Sequence, residues 1–191
     1  MINKLNLNIF TAMFFSLFLL VSGCGKTEYK KEIVGIDVST SAQSGLKELK
    51  PIIADRLLAW AAPNILIFVF GDNSYEVYSG GKPIKDRDVI ALYDAAIKQS
   101  KDVKWNNGTN MDMMLEFLFN KISGETRAVI YTDGYFEKSS TDIGKLNATA
   151  TALGKKGLLE IEFIGVRLEN KEKIYSWFKN TNINIIFTSM T

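Results

Sequence analysis

The chain has 191 residues, with 23 lysines and arginines against 21 aspartates and glutamates, so its formal net charge is +2. This near-neutral balance, without a basic cluster, gives no indication of nucleic-acid binding. The absence of histidine and the presence of a single cysteine exclude Ser-His-Asp and Cys-His catalytic sites, and also zinc sites of the usual His/Cys type.

The first residues of the chain have the pattern of a targeting segment. Lys4 supplies a positive charge, and residues 9–21 are an apolar stretch too short to span a bilayer comfortably. Small residues then precede Cys24, and this arrangement resembles a bacterial lipoprotein signal, which implies cleavage before Cys24 and lipid on its thiol. An uncleaved anchor helix with an incidental cysteine is the alternative.

This interpretation divides the chain into three parts. We expect a signal peptide over residues 1–23, a lipidated cysteine with a short tether over 24–31, and one domain over 32–191. Several acyl chains suffice for stable membrane attachment. The predicted location is therefore extracytoplasmic: the outer membrane in a Gram-negative cell, otherwise the outer face of the cytoplasmic membrane.

Short apolar segments alternate with helical patterns along the rest of the chain. The predicted strands are 33–38, 65–70, 75–78, 127–132, 159–166 and 183–187. The predicted helices are 46–61, 86–99, 111–121, 142–155 and 171–179. Pro51 predicts either a later start or a kink in the first helix. Continuous apolar strands suit a sheet covered on both faces, so we predict an α/β fold with a doubly wound, mostly parallel six-stranded sheet flanked by helices.

Hydroxyl and carboxylate side chains occur where these strands end. Asp37, Ser39 and Ser41 follow the first strand, Thr109 lies between two middle helices, and Asp133 follows the fourth strand. Because ligands gather at the carboxyl ends of strands in an open α/β sheet, these residues are able to converge. Five oxygen side chains around one point form a site for a hard divalent cation.

The pattern Asp-x-Ser-x-Ser, a distant Thr and a Thr-Asp-Gly turn resembles the metal-ion-dependent adhesion site of the von Willebrand factor type A domain family. The resemblance implies that Ser39 and Ser41 bind Mg²⁺ or Mn²⁺ directly. It implies that Thr109 joins when a partner binds, and that Asp37 and Asp133 act mostly through bound water. A partner protein's Asp or Glu would complete the coordination. The alternative is that the serines cap the next helix and Asp133 forms a turn, which explains each segment singly.

The resemblance covers roughly residues 32–188, and two further expectations follow from it. The chain reaches Thr191 only a few residues beyond Phe187, so we expect the family's final helix to be lacking. Trp105, Tyr135 and Phe136 flank the predicted site and form a possible partner-contact rim, since interface hot spots favour aromatic residues. The alternative is that these three pack beneath the loops.

Two other functions compete with a non-catalytic binding module. A Mg²⁺-dependent phosphohydrolase would use Asp37 as its nucleophile. That reaction commonly needs a second aspartate two positions later, where this chain has Ser39. A structural domain without metal is the third possibility. We therefore expect no enzymatic activity, and a lipid-anchored domain that binds a protein partner through a metal in adhesion or envelope assembly.

Overall fold

A computed structural model provides the structure of the chain. It describes residues 28–42, 45–59, 62–81, 85–102, 108–137, 139 and 142–190. The predicted signal peptide, the lipidation site Cys24 and the rim residue Trp105 lie outside the described residues.

The centre of the fold is a six-stranded sheet. Its strands are β1 (Lys31–Asp37), β2 (Asn64–Phe70), β3 (Ser74–Gly81), β4 (Thr126–Tyr131), β5 (Leu158–Ile164) and β6 (Asn184–Thr188). Their order across the sheet is β3-β2-β1-β4-β5-β6. β3 pairs antiparallel with β2, and every other pair is parallel. The prediction of a mostly parallel six-stranded sheet is confirmed, and β3 is its one antiparallel strand.

Five helices connect these strands within the described residues. They are α1 (Leu46–Ala59), α2 (Asp86–Asp102), α3 (Met111–Lys121), α4 (Ile143–Lys156) and α5 (Leu168–Trp177). α1 begins at Leu46 and contains Pro51 in its second turn, so the proline does not start the helix. None of these helices is long and apolar enough to cross a membrane, as judged over the described residues.

Both faces of the sheet are buried. One apolar cluster joins Ile33 and its neighbours to α3, α4 and α5, and a second joins Val34 and its neighbours to α1 and α2. Ile33 and Val34 are adjacent in β1, so their side chains point to opposite faces of the sheet and belong to different clusters. This two-sided burial explains why the strands are nearly continuous apolar runs.

A charged network lies on the α1 face toward the amino ends of the central strands. Arg127 of β4 forms ion pairs with Glu160 at 2.8 Å and Glu162 at 2.6 Å, and lies 3.7 Å from Glu32. Arg56 of α1 also binds Glu162, at 2.6 Å. Because Glu32 and Glu162 are buried, these arginines compensate charges that water does not reach.

No helix follows β6 in the described part of the chain, which ends with Ser189 and Met190. The Met190 methyl group lies beside Gly45 and Gly165, where added Cβ atoms would meet it at 3.8 Å and 2.8 Å. The Met190 side chain therefore lies between the start of α1 and the end of β5.

Candidate metal centre

Asp37 is the last residue of β1, a central strand flanked by β2 and β4. Its side chain is 1% exposed. Its Oδ1 accepts a hydrogen bond from the Ser39 amide at 2.9 Å, and its Oδ2 accepts one from the Thr132 hydroxyl at 2.7 Å. The carboxylate is thereby held in one orientation at the carboxyl end of the sheet.

The two serines lie in the turn that follows β1. Their Oγ atoms are 3.2 Å apart, and the Ala42 amide donates to the Ser39 carbonyl at 3.1 Å. α1 begins only at Leu46, five residues after Ser41, so neither serine occupies the N-cap of that helix. The helix-cap interpretation therefore does not account for them.

Thr109 reaches the same point from the loop before α3. It is fully buried, and its Oγ1 lies 3.4 Å from each carboxylate oxygen of Asp37. Its own amide donates to Glu137 Oε2 at 3.1 Å. The backbone of Thr109 is therefore fixed by a residue of the loop that also carries Asp133.

Two further hydrogen bonds hold this loop in place. The Asn110 amide donates to the Gly71 carbonyl at 2.9 Å, which ties the loop to the β2–β3 turn. The Met111 amide donates to Ser139 Oγ at 2.9 Å. Residues 109–111 are therefore held by contacts on two sides.

Asp133 lies just beyond β4, and its side chain is 12% exposed. Oδ1 accepts a hydrogen bond from the Tyr135 amide at 3.0 Å, whereas Oδ2 is buried and accepts no hydrogen bond from any described residue. The nearest cation to Oδ2 is the Arg167 guanidinium, at 3.6 Å. Asp133 thus has a carboxylate oxygen that its surroundings leave available.

The buried carboxylate of Asp37 is held in an environment that disfavours its charged form. The pKa of Asp37 is raised from 3.8 to about 6, chiefly by burial and to a smaller extent by the negative charge of Asp133, while hydrogen bonds from Thr132 and Ser39 lower it. Desolvation disfavours the charged form of a carboxylate. A cation at this point would relieve that cost.

The site opens into a cavity of about 170 Å³ at the carboxyl end of the sheet. Asp37, Ser41, Asp133, Arg167 and Met190 are among the residues that line it. Three of the five candidate ligands therefore border the cavity, whereas Ser39 and Thr109 lie behind them and are buried.

No protein-family model matches the chain, and no curated protein matches it. Solved structures do match. An aerotolerance-related membrane protein from Bacteroides fragilis, carrying multiple mutations to serine, is 14% identical with a TM-score of 0.60, over 82% of this chain and 90% of that one. BatB from Bacteroides thetaiotaomicron is 17% identical with a TM-score of 0.58, over 83% and 90%.

A von Willebrand factor type A structure from Catenulispora acidiphila is 18% identical with a TM-score of 0.54, over 83% of this chain and 39% of that one. This chain has the von Willebrand factor type A fold. At such low identities the likeness shows the fold alone.

Within this type A fold, the predicted site residues come together to different degrees. Ser39 and Thr109 contact Asp37 directly, and Ser41 joins them through Ser39. Asp133 belongs to the same region because it follows Thr132, whose hydroxyl bonds Asp37.

The predicted aromatic rim requires one correction. Tyr135 is 53% exposed and is available to a partner. Phe136 is only 3% exposed, and its ring packs edge-on against Trp177 with centroids 5.4 Å apart. Successive residues point in opposite directions here, so Phe136 belongs to the core and not to a contact surface.

Four residues near the site were missed by sequence reasoning. They are Thr132, Glu137, Ser139 and Arg167. Thr132 lies in the Thr-Asp-Gly turn, and its position next to Asp133 was the one signal in the sequence that could have indicated its role. The other three act through long-range contacts for which the sequence contains no spacing signal.

The donor set suits a hard divalent cation. Among the described residues, the side chains of Ser39, Thr109 and Thr132 next to Asp37 all end in oxygen, and Asp133 Oδ2 accepts no hydrogen bond from any of them. The described residues contain no group of three or more His, Cys, Asp or Glu side chains able to hold a metal. A cation here would therefore depend on the serine and threonine hydroxyls, which Mg²⁺ and Mn²⁺ accept.

Proposed function

We propose that this protein is a non-catalytic binding module that holds Mg²⁺ or Mn²⁺ and, through it, an acidic side chain of a protein partner. The observation that carries the proposal is the convergence of Asp37, Ser39, Ser41, Thr109 and Asp133 at the carboxyl end of the sheet, where Asp37, Ser41 and Asp133 line a cavity. Metal binding, partner binding and lipid attachment are parts of this proposal.

The chemistry of the donors favours a carboxylate partner. Ser39 and Ser41 would bind the ion through neutral hydroxyls, and Asp37 and Asp133 would orient water around it. When bound, the ion supplies a Lewis-acidic position that a partner's Asp or Glu completes. Neutral direct ligands leave most of the ion's charge available for that carboxylate.

The surroundings of Asp37 favour binding over catalysis. A nucleophilic carboxylate needs an oxygen that faces its substrate. Asp37 is 1% exposed, and its two oxygens accept hydrogen bonds from Ser39 and Thr132. This arrangement suits a residue that organises neighbouring groups better than one that attacks a substrate.

The proposed location is the cell envelope. The match between Cys24 and a lipoprotein signal supports it, and a similar fold occurs in a protein described as an aerotolerance-related membrane protein. The role in adhesion or envelope assembly follows from that location and from the metal-dependent partner site.

The test is calorimetric titration of Mg²⁺ and of Mn²⁺ into the full chain, purified in a neutral detergent. We expect saturable binding in the parent protein and loss of binding in Asp37→Ala and Ser39→Ala. Asp94→Ala and Ser176→Ala are matched controls, because both residues lie on helices away from the site, with Asp94 exposed and Ser176 half-buried. Both controls should bind as the parent does.

Circular dichroism would establish that each variant folds. Equal metal affinity in the parent and in a folded Asp37→Ala variant would overturn the proposal. Turnover of a generic phosphate ester that requires Asp37 would overturn its non-catalytic part.

A further inference from the structure

Arg167 lies at the edge of the candidate centre, immediately before α5. Its backbone amide donates to the Asp133 carbonyl at 3.1 Å, and its own carbonyl accepts from the Asn170 amide at 3.0 Å. The backbone of Arg167 is therefore fixed to the same turn that presents Asp133. Its side chain, in contrast, is 57% exposed.

The guanidinium group of Arg167 has unused binding capacity. Its Nη2 lies 3.6 Å from Asp133 Oδ2, which is too long for a hydrogen bond. Within the described residues, the contact with Asp133 is the one ion pair of this side chain, and no side-chain hydrogen bond of Arg167 accompanies it. A guanidinium carries five N–H donors in a planar fork that matches a carboxylate, so most of these donors face solvent or the cavity.

The cavity joins Arg167 to the proposed metal ligands. Asp37, Ser41 and Asp133 line the same cavity of about 170 Å³ that Arg167 lines. Its walls also include the Met190 side chain, which narrows the space between α1 and the end of β5. A group that enters beside Ser41 and Asp133 therefore comes within reach of the guanidinium.

We infer that Arg167 binds a second acidic group of the partner, next to the carboxylate that completes the metal site. The recognised element is thus a pair of closely spaced acidic residues in a peptide segment. This inference rests on the proposed function, because the first carboxylate is the one directed to the metal. An arginine provides bidentate geometry, and therefore selects a second carboxylate over an amide of the same shape.

The test compares two capped peptides that differ in one group. The diacid has the sequence Gly-Asp-Gly-Asp-Gly, and its match has Asn in place of the second Asp. Binding to the ¹⁵N-labelled full chain in neutral detergent with Mg²⁺ is followed by amide chemical shifts. We expect the diacid to bind about fivefold tighter, which corresponds to a partly exposed ion pair.

The variants separate recognition from a structural role. Arg167→Gln should abolish the preference for the diacid, while Lys155→Gln, which removes the same charge at the far end of α4, should keep it. Mg²⁺ titration of Arg167→Gln should show unchanged or tighter binding, because a positive charge beside the ion is removed. An arginine that merely braces Asp133 would instead weaken Mg²⁺ binding when replaced.

The outcomes distinguish this inference from the proposed function. Mg²⁺ binding with equal affinity for the two peptides, or a preference that survives Arg167→Gln, overturns the role of Arg167 alone. Weaker Mg²⁺ binding by Arg167→Gln also overturns it, in favour of bracing. Failure of the parent to bind Mg²⁺ overturns both.

Discussion

At the scale of single residues, the buried carboxylate of Asp37 lowers the stability of the fold. Its neighbours in β1 are apolar, yet it places a carboxylate where water has little access. The hydrogen bonds from Ser39 and Thr132 offset only part of the desolvation, because the pKa of Asp37 remains raised to about 6. The metal-free protein is therefore less stable at neutral pH than an uncharged equivalent would be.

Asp37→Asn should stabilise the metal-free protein at pH 7.5 and should abolish stabilisation by Mg²⁺. The folded protein holds the Asp37 proton with a pKa of about 6, against 3.8 ordinarily, so this group's contribution to stability is complete below 3.8 and is lost as pH rises through about 6. In urea unfolding with EDTA at pH 7.5, the free energy of unfolding of Asp37→Asn should exceed that of the parent by about 1–3 kcal/mol.

The same comparison at pH 4 should show a much smaller gain, because the parent's Asp37 is then largely protonated in the folded state. A variant that is less stable than the parent at pH 7.5 would contradict this account of the buried carboxylate.

Gly134→Ala should lower the free energy of unfolding by about 1–3 kcal/mol. Gly134 has a φ of 78°, and an added Cβ would lie 2.8 Å from Val166 Cγ1 and 3.2 Å from Ile174 Cδ1. Gly81→Ala is the control, since its Cβ would meet no atom within 4 Å. Chemical denaturation of both variants measures the difference, and equal effects would rule out a special requirement at Gly134.

At the scale of elements, the site depends on how three loops meet beyond the strands. The β2–β3 turn supports the loop before α3 through Gly71, and the loop after β4 supports it through Glu137 and Ser139. These contacts join segments that lie far apart in sequence. The position of Thr109 is therefore a property of the assembled loops.

Glu137→Ala should loosen the loop before α3, whereas Glu137→Gln should not, because the amide oxygen of glutamine still accepts a hydrogen bond. The Thr109 amide donates a hydrogen bond to Glu137 Oε2 at 3.1 Å. Loss of this hydrogen bond should make hydrogen exchange of the Thr109 amide about fivefold faster. The Asn110 amide, which donates to Gly71, provides an internal reference. Equal exchange rates at Thr109 in the two variants would contradict the assignment.

The elements themselves were largely predictable from the sequence. All six strands and five helices of the described residues lie where apolar runs and helical periodicity indicated them. The four inner strands carry the clearest apolar runs, because they are largely buried on both faces, whereas the edge strands β3 and β6 are only partly buried. The start of α5 was predicted three residues late, since Arg167 at its N-cap makes no side-chain capping bond. The contacts of Glu137 and Arg167 were unpredictable, because they depend on loops that only the folded sheet brings together.

At the scale of the whole molecule, the charged network around Arg127 joins three strands and α1. Arg127 is the shared partner of Glu32, Glu160 and Glu162, and the side chains of Glu32 and Glu162 are almost inaccessible. Removing one member of a buried ionic network leaves charge without compensation. The stability of the sheet is therefore sensitive to this arginine.

Arg127→Met should destabilise the protein by about 3–5 kcal/mol, because its buried carboxylate partners lose their counter-ion. Lys155→Met removes an equal charge from an exposed position at the end of α4 and should change stability little. Thermal and urea unfolding of the two variants measure the contrast. A loss below about 1 kcal/mol for Arg127→Met would show that the carboxylates find other partners or take up protons.

The direction of β1 has a consequence for how the protein meets its surroundings. The strand enters the sheet at Lys31, next to the proposed tether, and leaves it at Asp37, six residues later. These ends are separated by roughly 20 Å. If Cys24 carries the proposed lipid, the entering end of β1 would be the nearer one to the bilayer, and the proposed metal site would be at the far end. In that orientation the site would suit a partner on an opposing surface better than one embedded in the same membrane leaflet.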